Sequence, residues 1–422
     1  MQTRVYPSVM EGKVKAPASK SHTQRGLLAG LLSRGKSDLV HPGLSEDEHH
    51  MLGMIKNLGA QVTQAADRWF IQGGKMLVPA SQKLNAGESG LGMRLITPVA
   101  ALLDQTIAIT GRGSLKNRPM GAFENLLKQA GGWCQTQNGY PPVWVKGPLT
   151  GGAIEMNGAL GSQFLSGLLF ALPLASGNST ITVDQLKSIP YIDMTLHVLQ
   201  HFGIKFHHRD YKSFEIPGRQ SYRPTTLHIE GDWSNAAFLM AGAAINGHIQ
   251  LWGLHPQSPQ ADRRILEALD KAGVPCSFDG QYFSVQSPAS LQAFDFDATH
   301  CPDLFPPLAA LAAYADGVSS IRGVHRLRHK ESNRAVALVK ILSENGIQAT
   351  CEQGDVLKIA GGTPQGSTVN SHGDHRMAMA SAILALKAQK PILIQQSQAV
   401  KKSCPDFFQT LNQLNIKTNQ RQ

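Results

Sequence analysis

Seven cations in this sequence stand beside small, hydroxyl-bearing or acidic residues: Lys20, Arg25, Arg118, Lys330, Arg334, Arg376 and Lys402. Lys20-Ser21 with Arg25 opens one apolar helical pattern, Ser89-Gly90 with Arg94 opens another, and Gly161-Ser162-Gln163 opens a third. Helix starts carry unpaired backbone N–H groups and the positive end of the dipole, so serine and glycine there suit a phosphate or carboxylate. Two acids lie close to the cations in the chain, Asp303 in Cys301-Pro302-Asp303-Leu304-Phe305-Pro306 and Glu331 in Arg328-His329-Lys330-Glu331-Ser332-Asn333-Arg334. A carboxyl group beside cations is suited to moving a proton on an anionic substrate. Taken singly, Asp303 also reads as an N-cap and Lys330 with Glu331 as a surface ion pair.

Sharper motifs fail on inspection. Gly87-Glu88-Ser89-Gly90-Leu91 lacks the second glycine of a nucleophile elbow. No phosphate-binding G-x-x-x-x-G-K-[ST] loop or strand-led G-x-G-x-x-G occurs, so nucleotide cofactors gain no support. His49-His50, His207-His208 and His372-Gly373-Asp374-His375 lack the i,i+4 spacing of a zinc helix. No metal or organic cofactor is expected.

The 422 residues are 42% hydrophobic and 17% charged, enough to bury a large core and too apolar for disorder. Lys and Arg outnumber Asp and Glu by 40 to 30, which favours anionic partners. At 6% aromatic content, with no basic run interleaved with aromatics, the cations point to small anions and away from nucleic acid. Five scattered cysteines without a C-x-x-C pair predict a reduced, cytoplasmic protein. The first residues hold no apolar signal region, and the longest apolar stretch, Phe164 to Ala175, is too short to span a bilayer, so no membrane association is expected.

The elements that must position these residues recur. Asn57-Leu58-Gly59-Ala60, Gln129-Ala130-Gly131-Gly132, His201-Phe202-Gly203-Ile204, Lys271-Ala272-Gly273-Val274, Glu344-Asn345-Gly346-Ile347 and Gln413-Leu414-Asn415-Ile416 each read as the end of an amphipathic helix closed by a left-handed residue. A second series of small-residue-rich helices starts in phase with them, near Ser21, Gly90, Ser162, Asp232, Asp303 and Asp374. Hairpin-like segments follow five of the six turns, and the sixth runs into the chain end, so residues around Arg4-Val5-Tyr6 are expected to return and supply the missing strand. The pattern predicts an α/β fold of six repeated units of about 70 residues, three per lobe. The first lobe would span residues 14–222 and the second residues 1–13 plus 223–422. Two such lobes would aim several helix starts into one cleft.

Pro17 to Arg25, Gly90 to Arg94, Asn117-Arg118-Pro119-Met120, Ser162 to Ser166, Pro190-Tyr191-Ile192-Asp193, Leu327 to Arg334, Asp374 to Met379 and Pro405 to Phe408 resemble the enolpyruvyl transferases, in family order along nearly the whole chain. The resemblance implies the two-lobed architecture and transfer of the enolpyruvyl group of phosphoenolpyruvate to the 5-hydroxyl of shikimate 3-phosphate, with release of phosphate and no cofactor. It implies that Lys20, Gly90, Arg118, Gln163, Arg334, Arg376 and Lys402 hold phosphoenolpyruvate. Lys20, Ser21, Arg25, Ser162, Gln163, Ser188, Tyr191, Asp303 and Lys330 would hold shikimate 3-phosphate, and Lys20, Asp303 and Glu331 would move protons. A monomer is expected.

Glu88, Leu91, Arg112, Gly161, Arg326 and Asn333 depart from the family pattern. An amino-sugar nucleotide is the alternative acceptor; the relatives that use it usually carry a loop cysteine, and residues 112 to 118 hold none. A non-catalytic phosphate- or RNA-binding repeat protein is the other alternative, disfavoured by the retained acids.

Overall fold

All six helix-closing turns take the left-handed conformation, with φ of 106° at Gly59, 83° at Gly131, 78° at Gly203, 73° at Gly273, 77° at Gly346 and 64° at Asn415. A Cβ disfavours that region, and asparagine is among the few residues besides glycine that enter it readily. The turns close helices Glu46–Asn57, Ala122–Gln129, Ile189–His201, Ile265–Lys271, Arg334–Glu344 and Phe407–Gln413. The structure is a computed structural model that describes residues 1–328, 330–352 and 355–421. His329 of the basic segment and the terminal Gln422 lie outside the described residues.

Among the described residues, six four-stranded sheets repeat one plan. In the second, Lys83–Asn85 runs parallel to Ile107–Thr110, which pairs antiparallel with Tyr140–Lys146, which folds back on Trp133–Gln137. Three sheets take a strand from a distant part of the chain. Thr226–His228 lies beside Lys36–Val40, and Met10–Lys15 beside Gly247–Trp252. Gln2–Val5 sits between Ile392–Gln395 and Thr418–Arg421. The N-terminal arm thus supplies the expected strand, while the chain end contributes one strand of its own.

The chain divides into two compact units, Ala18–Glu230 and Met1–Pro17 with Gly231–Gln422. The divisions fall a few residues beyond the expected 13/14 and 222/223. Strand pairing explains the shift, because a cut after Lys13 would sever Met10–Lys15, and Thr226–His228 belongs to a sheet of the first unit.

In the first unit the central helices are Lys20–Leu32, Gly90–Ala100 and Ser162–Ala171, and every residue of Gly90–Ala100 is buried. A helix apolar on all sides is stable only when covered on all sides. Close contact requires small residues: a Cβ on Gly167 would lie 2.3 Å from the Arg94 carbonyl oxygen. The second unit packs Trp233–Asn246, Phe305–Ala312 and His375–Leu384 together in the same manner. No helix of the described residues is long and apolar enough to cross a membrane.

Deleting residues 1–6 would remove the middle strand of the sixth sheet, with the fully buried Val5, and open both neighbouring strand edges. The expected loss is more than about 4 kcal/mol, read as a much lower thermal midpoint or no soluble protein. An unchanged midpoint would show that the arm does not close the sheet.

Candidate functional site

In the unit Ala18–Glu230 the central helices begin at Lys20, Gly90 and Ser162, the positions that the sequence pattern selected. Serines cap the first two: Ser19 Oγ accepts from the His22 amide at 3.4 Å, and Ser89 Oγ from the Gly92 amide at 3.1 Å. The Ser89 hydroxyl also donates to Gln24 Oε1 at 3.2 Å, joining the two helix starts. Arg94 donates to Gln163 Oε1 at 2.8 Å and to the Pro119 carbonyl at 3.0 Å, with its guanidinium 4.9 Å from the Phe164 ring centre. That bracket holds Gln163 and the residue that follows Arg118. A Cβ on Gly90 would lie 2.1 Å from Arg118 Nη1, so glycine is what lets the guanidinium approach the helix start.

Arg25 is fully buried and donates to Thr195 Oγ1 at 2.8 Å, the Ser21 carbonyl at 2.9 Å and the Tyr191 carbonyl at 3.2 Å. Burial pushes its pKa down to about 10. Thr195 also shares a 2.8 Å hydrogen bond with Ser166, which closes a ring of contacts through the three central helices and Ile189–His201. Ser188, at φ 57°, turns the chain into that last helix. Lys20 pairs with Asp47 at 3.0 Å. Beside Asp47, buried Glu48 accepts from the Ser45 amide at 2.6 Å, and burial raises its carboxyl group to about 7 against the pull of Ser45 and Lys20.

The second unit gathers Asp303, Lys330, Glu331, Arg334, Arg376 and Lys402. Asp303 receives Lys330 Nζ at 3.2 Å, Arg334 Nη1 at 2.7 Å and Arg376 Nη2 at 3.2 Å. Arg334 also donates to Glu331 Oε2 at 2.7 Å and to Asp374 Oδ2 at 2.8 Å, and Lys402 Nζ lies 3.7 Å from Glu331 Oε1. Burial pushes Asp303 upward, yet Arg376, Lys330 and Arg334 together hold it well below the usual carboxylate range. Burial in turn lowers Lys330 despite Asp303. Arg334 is raised: burial opposes its charge, and Asp374, Glu331 and Asp303 more than offset that. The cations keep the Asp303 carboxylate ionised and weaken it as a base, so its use as a proton acceptor requires bound anions that offset them.

Each expected site residue thus belongs to one of two clusters: Lys20, Ser21, Arg25, Gly90, Arg118, Ser162, Gln163, Ser188 and Tyr191 lie in one unit, and the other six in the second. Three residues that hold these in place, Asp47, Asp374 and Arg94, are not among the expected site residues. Asp47 had a signal, since Ser45 and Glu48 form a capping box around it. Asp374 had one as well, as the N-cap of His375–Leu384, although its bonds to Arg334 did not show in the sequence. Arg94 was visible only as a cation near a helix start. Among the departures, Gly161 has φ 120°, a conformation that serine rarely adopts, and Asn333 caps helix Arg334–Glu344. Glu88 accepts from Ser114 Oγ at 3.2 Å, tying its loop to Gly113–Asn117.

The family model for EPSP synthase (3-phosphoshikimate 1-carboxyvinyltransferase) matches residues 6–411. The 3-phosphoshikimate 1-carboxyvinyltransferase of Aeropyrum pernix is 36% identical over 410 residues, covering 97% of this chain and 95% of that protein. That of Klebsiella pneumoniae is 35% identical over 416 residues, covering 95% of this chain and 96% of the relative. A solved structure of EPSP synthase from Acinetobacter baumannii superposes with a TM-score of 0.83 at 26% identity, covering 99% of this chain and all of that one.

Asp374→Ala would remove a helix cap and leave the buried Arg334 charge short of one carboxylate. A loss of about 3–5 kcal/mol in denaturant unfolding is expected, and a loss below about 1 kcal/mol would contradict the assigned pairing. Glu48 supplies a pH-dependent test. Its carboxyl is raised from 4.5 to about 7, so its ionisation opposes folding. Stability fully present below about pH 4.5 is lost as pH rises through about 7. Glu48→Gln should therefore gain relative to the parent by about 3 kcal/mol between pH 4 and pH 8. A pH-independent difference would refute the assignment.

Proposed function

The chain belongs to the EPSP synthase family, the 3-phosphoshikimate 1-carboxyvinyltransferases, and from that premise we propose how its two charged clusters share the reaction. The protein transfers the enolpyruvyl group of phosphoenolpyruvate to the 5-hydroxyl of shikimate 3-phosphate and releases phosphate. Lys20, Gly90, Arg118 and Gln163 of the first unit, with Arg334, Arg376 and Lys402 of the second, hold phosphoenolpyruvate. Lys20, Ser21, Arg25, Ser162, Gln163, Ser188 and Tyr191, with Asp303 and Lys330, hold shikimate 3-phosphate. Both substrates are multiply charged anions, and cations must offset their repulsion before the reacting atoms can approach.

The reaction is an addition followed by an elimination. The 5-hydroxyl gives its proton to Asp303 while its oxygen bonds to the central carbon of phosphoenolpyruvate, and the methylene carbon takes a proton through Glu331. The carbon–oxygen bond to phosphate then breaks, the methyl group returns a proton to Glu331, and phosphate leaves beside Lys20, which also takes part in the proton traffic. Anionic substrate groups arriving at Arg334 and Lys402 offset the cations beside Glu331, which favours a proton there. The observation that carries this reading is Asp303, held ionised by Lys330, Arg334 and Arg376. The working form is taken to be a cytoplasmic monomer that needs neither metal nor organic cofactor.

Phosphate release from phosphoenolpyruvate should require shikimate 3-phosphate; turnover with an amino-sugar nucleotide alone would overturn the choice of acceptor. Glu331→Ala should lower kcat by about 10²–10³ while moving KM far less. A rise in KM at unchanged kcat would instead make Glu331 a binding residue.

A further inference from the structure

One hydroxyl of the first unit has no part in the roles above, yet three groups meet on it. Thr195, within helix Ile189–His201, is fully buried, as are Ser166 and Arg25 beside it. Arg25 Nε donates to Thr195 Oγ1 at 2.8 Å, Thr195 Oγ1 donates to the Tyr191 carbonyl at 3.0 Å, and Ser166 Oγ stands 2.8 Å from it. A hydroxyl has one proton and two lone pairs. With that proton given to Tyr191, Ser166 is the donor in its pair, and the Thr195 hydroxyl has no freedom left to rotate.

The Arg25 guanidinium takes its direction from that atom. Nε and Nη2 share one edge of the guanidinium plane and reach the Thr195 hydroxyl and, at 3.2 Å, the Tyr191 carbonyl, while Nη1 reaches the Ser21 carbonyl at 2.9 Å. Both acceptors on that edge lie one helical turn apart, so they hold it as a fork. Ser166 extends the attachment to helix Ser162–Ala171, whose first residues Ser162 and Gln163 share with Arg25 the proposed contact to shikimate 3-phosphate. Three of the five guanidinium N–H groups are thus engaged among the described residues. Nη1 and Nη2 keep one each, and two such groups can hold both oxygens of a carboxylate or phosphate.

We propose that Thr195 is a positioning residue for shikimate 3-phosphate: its hydroxyl, fixed by Ser166, sets the direction in which Arg25 presents its two remaining N–H groups to an oxyanion of that substrate. The inference rests on the proposed assignment of Arg25 to shikimate 3-phosphate. A buried guanidinium that loses an acceptor has no solvent at hand to replace it, so its plane turns on the bonds that remain. Its charge survives, but its aim does not. Valine copies the shape of threonine without the hydroxyl and serine keeps the hydroxyl without the methyl group, so the two substitutions separate packing from orientation.

The test is steady-state phosphate release with each substrate varied in turn. Thr195→Val should raise KM for shikimate 3-phosphate about five- to twentyfold, with kcat and KM for phosphoenolpyruvate within about twofold of the parent. Thr195→Ser should bring KM back to within about twofold. Ser166→Ala leaves the Thr195 hydroxyl but removes the donor that fixes it, so it should move the same KM in the same direction and by less; this variant decides the matter should Thr195→Val fail to fold. Added to Arg25→Met, Thr195→Val should raise that KM no further, because both changes act on one contact. A hydroxyl that only supports the fold would lower the thermal midpoint while leaving both KM values unmoved or moving them alike, and serine would then do no better than valine. Any of these results overturns the inference alone where Arg25→Met raises KM for shikimate 3-phosphate. An Arg25→Met variant with that KM unchanged overturns it together with the assignment of Arg25.

Discussion

A guanidinium at 1% exposure must replace the water it has lost, and Arg334 does so with Asp303, Glu331 and Asp374. Removing an ion from water costs several kcal/mol even after the protein relaxes, and the attraction must be close and well directed to offset that. Three contacts between 2.7 and 2.8 Å meet this condition. Their consequence is geometric. Asp303 precedes Phe305–Ala312, Glu331 lies just before Arg334–Glu344, and Asp374 caps His375–Leu384, so one side chain locks the starts of three helices. Arg376 and Lys402 then attach to two of the same carboxylates.

The repeat explains why helix starts were available for this purpose. Each copy runs its central helix into a strand that pairs in parallel with a neighbour and closes its second helix with a left-handed turn, so three copies stack their central helices against one another within a unit. The apolar helix bodies fill the interior, and the polar first turns remain for chemistry. Small residues set how tightly the helices meet, as at Gly167, and a closer pack brings the first turns nearer each other.

The legible part of this organisation rested on backbone chemistry that leaves a mark in residue type. Six left-handed turns need glycine or asparagine, and five glycines and Asn415 stood at the required spacing. The N-terminal arm was legible by subtraction, since the sixth copy lacked a strand. What the sequence did not show is pairing across long separations. Arg334 with Asp374 and Asp262 with Ser234 join residues 40 and 28 apart with no local signature. The divisions of the chain lie a few residues beyond the expected ones because the three-residue strand Thr226–His228 pairs with Lys36–Val40, nearly two hundred residues earlier, and carries no local mark of that partner. Bland alternatives for single residues also fell to contacts: Asp303 bonds to three cations, and Lys330 and Glu331 take separate partners.

The buried arginines Arg25, Arg334 and Arg376 differ in how their charge is met. Arg25 is held by a threonine hydroxyl and two backbone carbonyls, neutral acceptors that orient a guanidinium without cancelling its charge. Its pKa falls accordingly, since burial acts against it with no bonded carboxylate among the described residues in return. Such a cation gains most from an incoming anion. Arg334 and Arg376 are matched by bonded carboxylates, and their pKa values rise. A matched cation gains less from a ligand anion, but it keeps the adjoining carboxylates ionised and in place. Whether the partner of a buried arginine is a dipole or a charge therefore decides whether it is left to meet an incoming anion or holds neighbouring carboxylates ionised.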